Sequence, residues 1–133
     1  MLSQAAARAS RADTAYRSID VAGRTALGDP HALVSVMYEE LTRALGAVAA
    51  AIRNNDQALK SEKISRALTI LFALESGLDF DKGGDVSYTL ANLYRGARKQ
   101  IVAASLGNDP APFLTVARNL SEIAAVWRQI KAA

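Results

Sequence analysis

From Phe113 onward the apolar residues Phe113, Val116, Leu120, Ile123, Trp127 and Ile130 alternate spacings of three and four. That rhythm marks one face of an α-helix packed lengthwise against other helices, as in a bundle. Three further segments carry the same signature. Asp29-Pro30-His31 can open a helix, because Asp caps orphan amides and Pro suits the first helical position. Behind it Leu33, Met37, Leu41, Ala44, Leu45, Val48 and Ile52 form a one-sided stripe. Asn54-Asn55-Asp56 ends this helix and caps the next, which runs from about Gln57 to Leu78. Asp79 to Gly84 reads as a turn, since paired glycines break a helix. Asp85 is then the expected cap of a third helix, with the stripe Val86, Leu90, Leu93, Tyr94, Ala97, Ile101 and Ala104. Gly107-Asn108-Asp109-Pro110 separates it from the fourth.

Four helices joined by short connections predict an all-α, antiparallel up-and-down four-helix bundle over residues 29–133. Composition agrees, because the apolar half of the chain is mostly Ala and Leu, which favour helix over strand. Residues 1–28 are expected to be a flexible N-terminal segment that either trails or packs on the bundle. No uncharged apolar stretch approaches the roughly 20 residues of a membrane span. The longest, Ala44 to Ile52, lies between Arg43 and Arg53. The expectation is a cytoplasmic protein without membrane insertion.

Chemistry finds little support. The chain has no cysteine, which excludes disulfides and thiol chemistry. His31 is the only histidine and has no evident partner for catalysis, so packing at the start of the first helix is its expected role. Asp79, Asp81 and Gly84 match positions 1, 3 and 6 of a calcium loop, but Leu90 stands where the bidentate Glu is required. Glu39 and Glu40 are adjacent, diverge by about 100° on a helix, and cannot face one substrate. No enzyme activity, metal or cofactor is expected. The net charge of +3 is scattered rather than gathered into runs, which argues against a nucleic-acid partner. Such a partner would need Arg95, Arg98 and Lys99, read here as not sharing one helix face.

What remains is surface. In the second helix Ile64, Ala67, Leu68, Ile70, Leu71, Phe72, Leu74 and Leu78 cover an arc of roughly 200°, twice that of an ordinary core-facing helix. Glu75 falls inside that arc near the helix end, where its carboxylate needs solvent or a partner. Val36, Tyr88, Leu114 and Val126 also lie off their helices' stripes. Together these features predict a groove for another chain, and physics alone leaves open whether a partner peptide or a second copy fills it.

In order, the punctuating residues resemble the FliS family of flagellar export chaperones. Tyr16 with Asp20-Val21 is similar to the family's leading Tyr and downstream Val. Pro30, Leu33 and Met37-Tyr38-Glu39 resemble its first long helix, and Ala51 to Asp56 its hairpin turn. Ala67, Ile70-Leu71 and Leu74 are similar to its second helix. Leu78-Asp79, Gly83-Gly84, Leu90 and Leu93-Tyr94 resemble its most recognisable block, and Trp127 matches a Trp near its C-terminus. Two residues depart from the pattern: Gly96 stands where a second aromatic is usual, and Leu27-Gly28-Asp29 replaces small residues before the Pro.

The resemblance implies an antiparallel bundle that binds the disordered C-terminal segment of flagellin in the cytoplasm, prevents premature polymerisation, and presents the client to the membrane export gate. A homodimer, or a self-associating helical module without flagellin affinity, is the competing expectation. Candidate partner contacts are Tyr16, Ile19, Val21, Met37, Tyr38, Ile70, Phe72, Leu93 and Tyr94. Of these, Met37, Tyr38, Leu93 and Tyr94 also fall on the main stripes, where core packing competes with contact. Tyr16, Ile19 and Val21 are expected either to fold over the empty groove and be displaced by client, or simply to pad one end of the bundle.

Overall fold

A computed structural model describes residues 29–132, and within them the four expected helices form an all-α bundle. They are α1 (Pro30–Arg53), α2 (Gln57–Ser76), α3 (Phe80–Ala104) and α4 (Ala111–Ala132). Tyr16, Ile19 and Val21 lie outside the described residues. No described helix is long and apolar enough to cross a membrane.

The caps account for most of the boundaries. The Asp29 carboxylate accepts from the His31 amide at 3.0 Å and the Ala32 amide at 3.3 Å, with Pro30 at the first helical position. Asp56 accepts from the Leu59 amide at 3.0 Å and starts α2. Between them Asn55 turns the chain at φ 55°, a left-handed conformation that Asn tolerates better than most side chains.

Pairings along the helices fix the topology. α1 packs most extensively on α2 and α4, whereas α3 touches α2 and α4 more sparsely. His31, at the start of α1, stacks on Trp127 near the end of α4, with ring centroids 4.4 Å apart. The Trp127 indole donates to the His31 carbonyl at 3.0 Å, and His31 Nε2 lies 2.6 Å from the Trp127 carbonyl, so that nitrogen carries the proton. This packing is the role expected of His31. Lys60, at the start of α2, meets the end of α3. Neighbours therefore run antiparallel, with α1 and α3 on one diagonal of the square.

The core is filled by Met37, Leu41, Leu45 and Val48 of α1, Ile70 and Leu71 of α2, Tyr94 and Ile101 of α3, and Phe113 and Val116 of α4. Across the diagonal, the hydroxyls of Tyr38 and Tyr94 form a buried hydrogen bond with each other. Val36, expected off the α1 stripe, is half-buried against this core.

The start of α3 corrects the sequence reading in two respects. The cap is Asp79, not Asp85: its carboxylate accepts from the Lys82 amide at 2.9 Å, and Phe80 to Gly83 form a helical turn rather than a loop. The chain then breaks at Gly84 (φ 49°, ψ −126°) before the long part of the helix. The Ser87 hydroxyl donates back to the Asp79 carbonyl at 2.8 Å and spans the break. Ser87, Ala91, Tyr94, Ala97 and Ile101 face inward, while Val86 and Leu93, assigned to the stripe, are 66% and 46% exposed. Hydrophobicity ranks Val and Leu above Ser and Ala, yet Ser87 and Ala91 are the residues buried here.

Both glycines have identifiable jobs here. A Cβ on Gly83 would lie 2.0 Å from the Ser87 Oγ, and Gly84 holds a conformation that strains any L side chain. Gly84→Ala is expected to cost about 2 kcal/mol in urea unfolding. Gly83→Ala should cost about 1 kcal/mol, through loss of the Ser87 hydrogen bond. By contrast, a Cβ at Gly96 would meet nothing within 4 Å. No tight contact there offsets the helix cost of glycine, about 1 kcal/mol.

Candidate docking groove

The wide apolar arc of α2 divides between two surfaces. Ile64, Ala67, Ile70, Leu71 and Leu74 enter the core. Leu68 and Phe72, both half-buried, line an open groove of about 840 Å³ between α2 and α3. The α2 wall runs through Ser65, Leu68, Thr69, Phe72 and Glu75, and the opposite wall through Arg95, Arg98, Lys99, Val102 and Ala103 of α3 and Leu106 just past its end. Leu106 is 90% exposed and Val102 also stands in solvent. Tyr88, exposed and in ring contact with Phe80, lies two helical turns above Arg95 on the same flank of α3.

The two ends of the groove are fastened differently. At the upper end Glu75 meets Arg95 Nε at 2.9 Å and Arg98 Nη2 at 2.7 Å, which ties α2 to α3. This is the partner that an acid inside an apolar arc requires. Arg95, Arg98 and Lys99 thus line one groove, which corrects the reading that they share no face. They span only about 100° of helix, and α3 turns that sector toward α2.

At the lower end Lys60 is buried, and its ammonium donates to the Ser105 carbonyl at 3.3 Å, the Gly107 carbonyl at 2.7 Å and Asn108 Oδ1 at 3.2 Å. A cation from α2 therefore satisfies carbonyls just past the C-terminus of α3, where the helix dipole is negative. The groove cannot widen at that end without stripping those acceptors.

The structure disperses the candidate contact residues. Phe72 lies in the groove. Leu93 is exposed but sits nine residues before Val102, half a turn away, so it faces the opposite flank of α3. Met37, Tyr38, Ile70 and Tyr94 are buried in the core. Val126 and Leu114, both off the α4 stripe, are exposed.

Burial pushes both tyrosine hydroxyls above their ordinary value of 10.0, Tyr94 the further because Tyr38 also opposes its ionisation. A hydroxyl whose pKa is raised by folding contributes its full stability below pH 10. Above that pH the unfolded chain loses protons that the native chain retains, and stability falls. A double variant, Tyr38→Phe with Tyr94→Phe, should lack that contribution when urea unfolding is compared at pH 9 and pH 11.

Lys60, the Glu75 ion pairs, Val102 and Leu106 were not singled out from sequence. A signal existed, because Arg95, Lys99, Val102 and Leu106 recur at spacings of four, three and four. They form a second seam along α3 and the turn that follows it, masked because two members are charged.

The chain is similar to known proteins. Residues 11–133 match the family described as flagellar protein FliS. The flagellar secretion chaperone FliS of Salmonella typhimurium is 31% identical over 117 residues, covering 87% of each chain. That of Vibrio cholerae is 30% identical over 116 residues, covering 87% of this chain and 85% of the relative. Flagellar secretion chaperone FliSB of Pseudomonas aeruginosa is 24% identical over 112 residues, covering 84% and 89%. A match running through almost every helix, with relatives this similar along most of both chains, establishes that the chain belongs to the FliS family.

Proposed function

We propose that this protein is a cytoplasmic flagellar export chaperone, a binding module and not an enzyme, that holds the disordered C-terminal segment of flagellin. Bound in this way, the client is kept from premature polymerisation and is presented to the export gate. Family membership and relatives named flagellar secretion chaperones support the export role. The observation that carries the client-binding reading is the open groove between α2 and α3, whose Leu68, Phe72, Val102 and Leu106 stand ready for the apolar face of another chain. A segment that is disordered alone must lose conformational entropy on binding, and an apolar track of this kind supplies the compensating burial.

The test is calorimetric titration with a C-terminal flagellin segment of about 40 residues from the same organism. A one-to-one complex with a negative heat-capacity change is expected. No heat from folded protein, together with a mass that doubles with concentration, would instead favour the self-associating module.

The N-terminal apolar cluster Tyr16, Ile19 and Val21 is proposed to occupy the groove until client displaces it. The motivation is a short apolar run ahead of the bundle. Deleting residues 1–21 should then raise flagellin affinity several-fold, because a competitor for the groove is removed. An unchanged or weaker affinity, with the bundle folded by circular dichroism, would rule the displacement out.

A further inference from the structure

The charges of the groove are confined to one end and are unbalanced. Among the described residues, Glu75, Arg95, Arg98 and Lys99 are the charged ones lining it, three positive and one negative, a net of +2. The remainder of the lining is uncharged. Arg95 gives only Nε to Glu75, and its side chain is 55% exposed. Its two terminal nitrogens remain for a second carboxylate. Lys99 follows one turn later on the same flank, exposed and with no ion pair among the described residues. Like charges at i and i+4 destabilise a helix unless an anion lies between them.

From this geometry we infer that the occupant of the groove is an amphipathic segment bearing carboxylates at the end that meets Arg95 and Lys99. The inference rests on the client-binding reading and adds its chemistry and direction. From Ser65 to Glu75 the α2 wall is eleven residues long, about 15 Å, enough for about three helical turns. Apolar side chains of the segment lie on Leu68, Phe72, Val102 and Leu106. Its acidic end reaches the terminal nitrogens of Arg95 and the Lys99 ammonium. A segment laid in the reverse direction would place its acids over Leu106, where the Lys60 ammonium is buried and already donates to three protein oxygens. The charged end therefore sets the polarity of the bound chain, while the apolar floor supplies most of the affinity.

The experiment uses the full chain and the C-terminal flagellin segment as probe, in its natural form and with its Asp and Glu replaced by Asn and Gln. Affinities are measured for wild-type protein, Lys99→Met and Lys99→Glu, at low and high salt. Lys99→Glu should weaken natural-segment binding about five- to tenfold, with Lys99→Met in between. Salt should weaken the wild-type complex several-fold. The amide segment should bind the wild type as weakly as the natural segment binds Lys99→Glu, and should be indifferent to the substitution. Natural-segment binding that is tight, insensitive to salt and unchanged by Lys99→Glu would overturn the inference and leave the chaperone reading intact. Failure of both segments to bind the wild-type protein would overturn the client reading and the inference with it.

Discussion

Phe72→Asp is expected to weaken flagellin binding by at least about a hundredfold while the bundle stays folded. Phe72 is the one aromatic lining the groove, and buried aromatic anchors at interface centres are typically worth 2 kcal/mol or more, some thirtyfold in affinity. An aspartate there adds a second loss, because a client covering the groove would have to desolvate a carboxylate among Leu68, Val102 and Leu106. Val102→Asp should act in the same direction from the opposite wall. Leu93→Asp is the informative control. Leu93 is exposed like Val102 but faces the other flank of α3, so the same change of charge should leave the affinity unaltered. Loss of binding on Leu93→Asp but not on Phe72→Asp would move the client to the α4 side of α3.

Lys60→Met should lower stability by about 3 kcal/mol, measured by urea unfolding. The substitution keeps much of the buried stem but removes three donors from the Ser105 and Gly107 carbonyls and Asn108. Hydrogen bonds to a charged group contribute about 1.5–3 kcal/mol each, and because Gly107 and Asn108 are exposed, water replaces part of what the ammonium supplied. For a domain of this size the corresponding fall in melting temperature is about 12 °C or more. Lys60→Arg is not equivalent, since a planar guanidinium cannot place three donors as a compact ammonium does. If Lys60→Met proved neutral, the α3–α4 connection would have to find other donors for its carbonyls. The same variant should loosen the lower end of the groove, seen as faster amide exchange around Ser105 before global unfolding begins.

These two positions mark the limits of reading the chain by pattern. Phe72 was legible because it widened the α2 arc beyond what one core face needs. Lys60 was not, because a lysine near a helix start reads as a solvated charge, and its acceptors lie 45 or more residues away in sequence. The Glu75 clamp was half legible. An acid inside an apolar arc demanded a partner, but only the packing of α3 against α2 could name Arg95 and Arg98.

Local rules operating within one helix or one turn determined a large part of this protein. Caps at Asp29 and Asp56, the stripe from Phe113 to Trp127 and the breakers between helices dictated four antiparallel helices, because each acts over only a few residues. The ordered residues from Pro30 to Trp127 likewise sufficed to indicate the FliS family. Tertiary structure alone decided how α3 is rotated, since that depends on which of its faces packs against the neighbouring helices. That rotation carried Leu93 out of the core and Tyr94 into it, and it brought Arg95, Lys99, Val102 and Leu106 to the lip of one groove. The period of a stripe specifies a helix, but its phase is set by what the neighbouring helices can accommodate.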